Sequence, residues 1–127
     1  MSELRKFEAE VFKALAHPTR ILIVDALRDG ELNVNELSGL LELQGSNVSQ
    51  QLAILRNNNL VETRKDGNNV YYSIKDSSVL KMLAICRKIF NNHLNNLNSH
   101  LNCMLYFFYM LSQSICEFNF YEDLIFV

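Results

Sequence analysis

The chain has 127 residues and a mass of 14.7 kDa, enough for one domain with its own core and too little for two ordinary ones. Hydrophobic residues make up 49% and charged residues 20%, a balance that excludes global disorder. The net charge of −2 hides an uneven distribution: residues 44–100 hold seven basic and three acidic side chains, a local +4, and the remainder carries −6, so the middle of the chain is electrostatically distinct.

Leu4, Phe7, Val11, Phe12 and Leu15 recur at three- and four-residue spacing, which predicts an amphipathic helix over 3–15. His17-Pro18-Thr19-Arg20 punctuates the chain, and Pro18 suits the first turn of a second helix, where its missing N–H costs nothing. That helix carries Ile21, Val24 and Leu27 and stops near Asp29-Gly30. Asn33 is placed to cap a short third helix with Val34, Leu37, Leu40 and Leu41. Leu43-Gln44-Gly45-Ser46 reads as a tight connection to a fourth helix, about 46–58. The period then changes to two. Leu60–Lys65 and Val70–Ile74 flank Asp66-Gly67-Asn68-Asn69, a hairpin signal. From Asp76 a long helix begins, with Leu80, Leu83, Phe90, Leu94, Leu97 and Leu101 as a near-heptad apolar seam.

On the fourth helix Val48, Leu52 and Leu55 fall on one side and belong to the core. The other side is centred on Gln50 and carries Ser46, Asn47, Ala53 and Asn57, with Ile54 its one large apolar member. Short amides and hydroxyls on an uncharged face suit the DNA major groove: Asn and Gln bond adenine N6 and N7, Ser donates or accepts, and Ala leaves room for a thymine methyl. Composition alone leaves open a merely solvated helix face. The hairpin weighs against that, because Arg64 and Lys65 stand near its tip and Asn68 and Asn69 can bond sugar or phosphate. Helix, turn, polar helix and basic hairpin together predict a mainly α winged helix-turn-helix, with a two-stranded wing and a long C-terminal dimerisation helix.

Four segments carry a family resemblance, covering roughly residues 7–75: Phe12–Ile21 (FKALAHPTRI), Gly30–Leu37 (GELNVNEL), Val48–Arg56 (VSQQLAILR) followed by Asn59-Leu60-Val61, and Arg64–Tyr72 (RKDGNNVYY). In this order they resemble the ArsR/SmtB repressors. The resemblance implies a homodimeric repressor that leaves double-stranded operator DNA when an inducer binds. It implies DNA reading by Gln44, Ser46, Asn47, Ser49, Gln50 and Gln51, with Arg56, Arg64 and Lys65 nearer the backbone. Two positions depart from the pattern: many members have Ser where Gln44 stands and His where Gln51 stands.

The inducer is less constrained. Metal sensors that the chain resembles carry Cys-x-Cys at the third-helix entry, where this chain has Asn33 and Asn35, and amides are poor ligands for zinc, cadmium or arsenite. A second family site uses Asp-x-His at the start of the last helix, where Asp76-Ser77-Ser78 lacks the imidazole. No cofactor or metal is therefore expected. His100 and Cys103 are close enough in sequence to share an ion on a helix face, whereas Cys86 and His93 lie about 10 Å apart in helix rise. Three uses stay open for Cys86: packing at the dimer seam, a thiol sensor, and a metal ligand.

Three cysteines without a CxxC pair, and an opening without a signal-peptide pattern, predict a reducing cytoplasm. Residues 101–127 hold eight of the 13 aromatics and no Lys or Arg. They are expected to form an apolar aromatic extension distinct from the winged-helix domain at 1–100. Its longest apolar run, Cys103–Leu111, is about half of a membrane span, so no membrane partner is expected. No phosphate loop, nucleophile elbow or paired-carboxylate motif points to an enzyme. The alternative class is a winged-helix adaptor that binds only protein, distinguished by the absence of salt-sensitive DNA binding.

Overall fold

Ser2 accepts a hydrogen bond on its hydroxyl from the Arg5 backbone N–H and so opens α1 (Glu3–Leu15) at the residue where the 3.6-residue pattern starts. The computed structural model describes residues 2–97. After α1, His17 turns its Nδ1 to the Thr19 backbone N–H at 3.2 Å, and Pro18 stands first in α2 (Pro18–Ala26). His17 is thus spent on helix entry. The second helix ends earlier than its apolar pattern predicts: Leu27–Asp29 tighten into a 3₁₀ turn, closed by Gly30 at φ 153°, a conformation that side-chain-bearing residues avoid.

Asn33 caps α3 (Val34–Leu41) with a full capping box: its Oδ1 accepts from Glu36 N at 2.8 Å, and Glu36 Oε2 accepts from Asn33 N at 2.9 Å. Glu42, in the left-handed region at φ 54°, ends α3, and Leu43 N turns back to Ser38 O at 3.1 Å. The chain then enters α4 (Gly45–Asn57), one residue earlier at each end than the pattern predicts. Asn59, at φ 58°, ends α4, with Leu60 N bonded to Leu55 O at 3.0 Å, the reversed turn that Asn tolerates better than other side chains.

Strands β2 (Val61–Asp66) and β3 (Asn69–Ile74) form the expected hairpin, with Arg64 opposite Tyr71 and Lys65 opposite Val70. The strands run one residue further than expected into the turn, which leaves only Gly67-Asn68. Gly67 sits at φ 60°, as the first central position of a type II′ turn requires. The wing also has a strand the sequence reading lacked. Leu32–Asn33 form β1 and pair antiparallel with Tyr72 and Tyr71, giving the order β1-β3-β2.

The core draws Ala14 and Leu15 from α1, Ile23 and Val24 from α2, Leu37 from α3, and Val48, Leu52 and Leu55 from α4, with Leu60 and Val61 leading into the wing. These elements belong to a compact unit that ends at Lys81, and a second unit begins at Met82, within α5 (Ser78–Leu97).

The seam on α5 is covered unevenly within one chain. Leu83 is buried, whereas Phe90 and Leu94 are 54% and 39% exposed, so the seam opens only in its later turns. Ile85 and Ile89 are also exposed, on another side of the helix at about 100° per residue. The apolar surface is broader than the heptad pattern predicts. At the other end of the chain Leu4, Phe7 and Phe12 of α1 are likewise exposed. Leu101, His100, Cys103 and the 101–127 extension lie outside the described residues.

Candidate nucleic-acid interface

The face of α4 opposite the core is what the helix offers to a partner. Val48, Leu52 and Leu55 are fully buried, and this fixes the rotation of the helix. Ser46, Ser49, Gln50, Ala53 and Asn57 are turned outward and exposed, and Ile54 is exposed beside them. Among the described residues, none makes a hydrogen bond to the side chains of Ser46, Ser49 or Gln50. Their donors and acceptors are therefore unspent. Gln44 occupies the N-cap position, but its side chain makes no cap bond; its amide is exposed and the first N–H groups of α4 have no side-chain cap. Arg56 stands exposed in the last turn.

Gln51 and Asn47 are different. Both are half-buried, and both are engaged. Arg20 Nη1 donates to Gln51 Oε1 at 2.9 Å, and Gln51 Nε2 donates to Asn47 Oδ1 at 3.3 Å. Arg20 is itself anchored on the end of α1, with Nη2 donating to Lys13 O at 3.2 Å and Nε to Ala14 O. No sequence spacing links Arg20 to Gln51. The one local signal is a cation standing directly before the apolar run Ile21–Val24.

On the wing the two cations are also unlike each other. The Arg64 guanidinium lies over the Tyr71 ring, 4.9 Å from its centroid. Its Nε donates to both carboxylate oxygens of Glu31 at 3.2 and 3.1 Å, and Nη1 stands 3.8 Å from Asp66. The hydrogen bond from Arg64 holds the Glu31 carboxyl below the usual carboxylate range, and the same bond raises the guanidinium. Lys65 alternates to the other face of the strand and is exposed, with no polar partner among the described residues. Asn68 and Asn69, at the tip, border a cleft of about 270 Å³ that Asn33, Asn35 and Tyr72 also line.

The possible inducer positions are brought together less. Among the described residues, no three His, Cys, Asp or Glu side chains are gathered closely enough to hold a metal. Asn33 is spent on its capping box. Asp76 Oδ1 accepts from the Ser78 backbone N–H at 2.8 Å, and this bond keeps its carboxyl below the usual aspartate range. Cys86 is a free, exposed thiol on the Phe90 side of α5. No helix among the described residues is long and apolar enough to cross a membrane.

Residues 17–63 match the family model described as bacterial regulatory protein, arsR family. An uncharacterised HTH-type transcriptional regulator of Mycobacterium tuberculosis is 45% identical over 87 residues, 68% of this chain and 76% of that protein. The chain belongs to the ArsR family. The crystal structure of that M. tuberculosis protein superimposes with a TM-score of 0.66 at 40% identity, over 76% of this chain and 97% of the other. The chain is also similar to the solution structure of a homodimeric winged helix-turn-helix DNA-binding domain from Mycobacterium bovis. That likeness has a TM-score of 0.66 at 30% identity, over 76% of this chain and 93% of the other. The transcriptional activator HlyU of Vibrio cholerae is 38% identical over 93 residues, 71% of this chain and 86% of that protein. An adaptor that binds only protein finds no support in these names.

Proposed function

We propose that this ArsR-family chain is a homodimeric transcriptional regulator that binds double-stranded operator DNA and represses by occupying it until an inducer releases it. It acts by binding rather than catalysis, in the cytoplasm where its operator lies. The observation that carries the reading is the outer face of α4: Ser46, Ser49 and Gln50 hold unspent hydrogen-bonding groups on a helix whose inner face is fully buried. Such a helix is rigidly aimed and chemically free, as base readout requires. Gln44 and the uncapped first turn of α4 meet phosphate. Arg56, Lys65, Asn68 and Asn69 bond the backbone on either side. The second copy covers the exposed apolar residues of α1 and α5, and two-fold symmetry then dictates a palindromic site. Cys86, exposed on the seam side of α5, is the thiol through which an oxidant or sulfur donor reaches the dimer geometry.

The test is selection from a random duplex library, followed by titration of the selected site. Gln50→Ala is expected to relax preference at one base step by about 1–3 kcal/mol. Lys65→Ala is expected to weaken all duplexes alike and lower the salt slope by about one. Equal loss on selected and random DNA for Gln50→Ala would remove Gln50 from the reading face. Because one relative is named an activator, a reporter driven by the selected site decides the sign: repression predicts higher expression when the gene is deleted, activation lower.

The Glu31 carboxylate competes with any phosphate for Arg64. Glu31→Gln is expected to strengthen binding to every duplex and to steepen the salt slope by about one, the signature of one added phosphate contact. An unchanged slope would mean that Arg64 stays on Tyr71 and supports the wing without touching DNA.

A further inference from the structure

We infer that Arg20 is a positioning residue that sets which way round the Asn47 amide faces DNA, and that Gln51 transmits this setting instead of reading a base itself. The inference rests on the DNA-binding reading and concerns the polarity of one contact within it.

The argument follows from donor and acceptor chemistry. A guanidinium has N–H donors and no acceptor. Arg20 is fixed by two carbonyls at the end of α1, Lys13 O and Ala14 O, so the donor it turns to α4 is fixed too. Gln51 must present Oε1 to it, as it does at 2.9 Å. The Gln51 NH2 group then faces back along the helix to Asn47, four residues earlier, where side chains on one face meet. Asn47 must answer with Oδ1, and its NH2 group is left pointing outward. Each step leaves one orientation. A rigid cation at the end of α1 therefore makes Asn47 a hydrogen-bond donor toward the groove.

An outward NH2 group favours base edges with acceptors, namely guanine N7 and O6, adenine N7 or thymine O4, over the cytosine N4 amino group. Gln51→Glu reverses the chain without cutting it. The carboxylate still accepts from Arg20, but it offers Asn47 only an acceptor. Asn47 then turns its NH2 group inward and shows Oδ1 to the groove, which favours cytosine N4 or adenine N6.

The experiment compares base preferences of wild type, Gln51→Glu, Asn47→Ala and the double variant on a random duplex library. It is paired with NMR of the side-chain amides of the free proteins. The expected result is an inversion at one base step for Gln51→Glu, from acceptor-bearing to donor-bearing edges by about tenfold. The inversion should vanish in the Asn47→Ala background. In the free protein the Asn47 amide protons should move toward hydrogen-bonded shifts in Gln51→Glu. A uniform loss on all sequences, an inversion that persists without Asn47, or unmoved Asn47 amide protons would each overturn the inference. Enrichment of no sequence by the wild type would count against DNA binding itself, and the free-protein spectra would still decide the amide polarity.

Discussion

Phe90→Asp is expected to convert the protein to monomers at micromolar concentration and to weaken binding to its palindromic site by about 10²- to 10⁴-fold, the gain that joining two binding modules ordinarily supplies. Phe90 is 54% exposed in the single chain and lies on the same open stretch of α5 as Leu94. The isolated fold does not depend on it. A carboxylate there would be buried twice in a two-fold interface, once from each subunit, and an unpaired buried charge costs several kcal/mol. Sedimentation gives the oligomeric state, circular dichroism confirms that helix content is kept, and titration against whole and half sites gives the affinity. A variant that stays dimeric would place the interface elsewhere. A monomer with undiminished affinity for the whole site would show that the two reading helices do not act together.

The elements legible in the sequence are those whose signals are local. Pro18 and Asn33 mark helix starts because first-turn and capping chemistry acts within three residues, and Gly67 marks the hairpin because the two-residue turns that suit antiparallel strands need positive φ at their first central position. The buried side of α4 is legible for the same reason: Val48, Leu52 and Leu55 repeat within one helix. β1 is not legible, since two residues carry no period. The burial of Leu83 beside an open Phe90 is not legible either, because one stripe of a helix can be covered in one turn and bare two turns later. The polar part of the site divides in the same way. Ser46 and Gln50 follow from helix rotation alone, whereas Ser49 is named only by what the family resemblance implies. The engagement of Gln51 by Arg20 and of Arg64 by Glu31 joins residues 31 and 33 apart, and depends on how α1, α2 and the wing close on one another. Gln51 is thus a base contact only in what the family resemblance implies, and the fold shows its amide bonded to Arg20 and Asn47.

Leu52→Ala tests whether the buried side of α4 is what holds the reading face in place. Leu52 is fully buried between Val48 and Leu55, and neither of them is exposed. Removing a buried leucine side chain to the β-carbon costs about 2–5 kcal/mol, from lost transfer energy and the cavity left behind. Single domains have about 5–15 kcal/mol in total, so the variant should lose a large fraction of its stability. At roughly 4–8 °C per kcal/mol for a domain of this size, the thermal midpoint should fall by about 8–40 °C at fixed protein concentration. Gln50→Ala, on the exposed side of the same helix, should move it by no more than a few degrees. The two variants then separate in opposite senses. Leu52→Ala, assayed well below its midpoint, should keep its base preferences, because no atom of the outer face has changed, while Gln50→Ala should keep its midpoint and lose preference at one step. A midpoint drop of under about 4 °C for Leu52→Ala would mean that α4 is not seated on the core through this side chain. Its outer face would then not be fixed by the packing of Val48, Leu52 and Leu55.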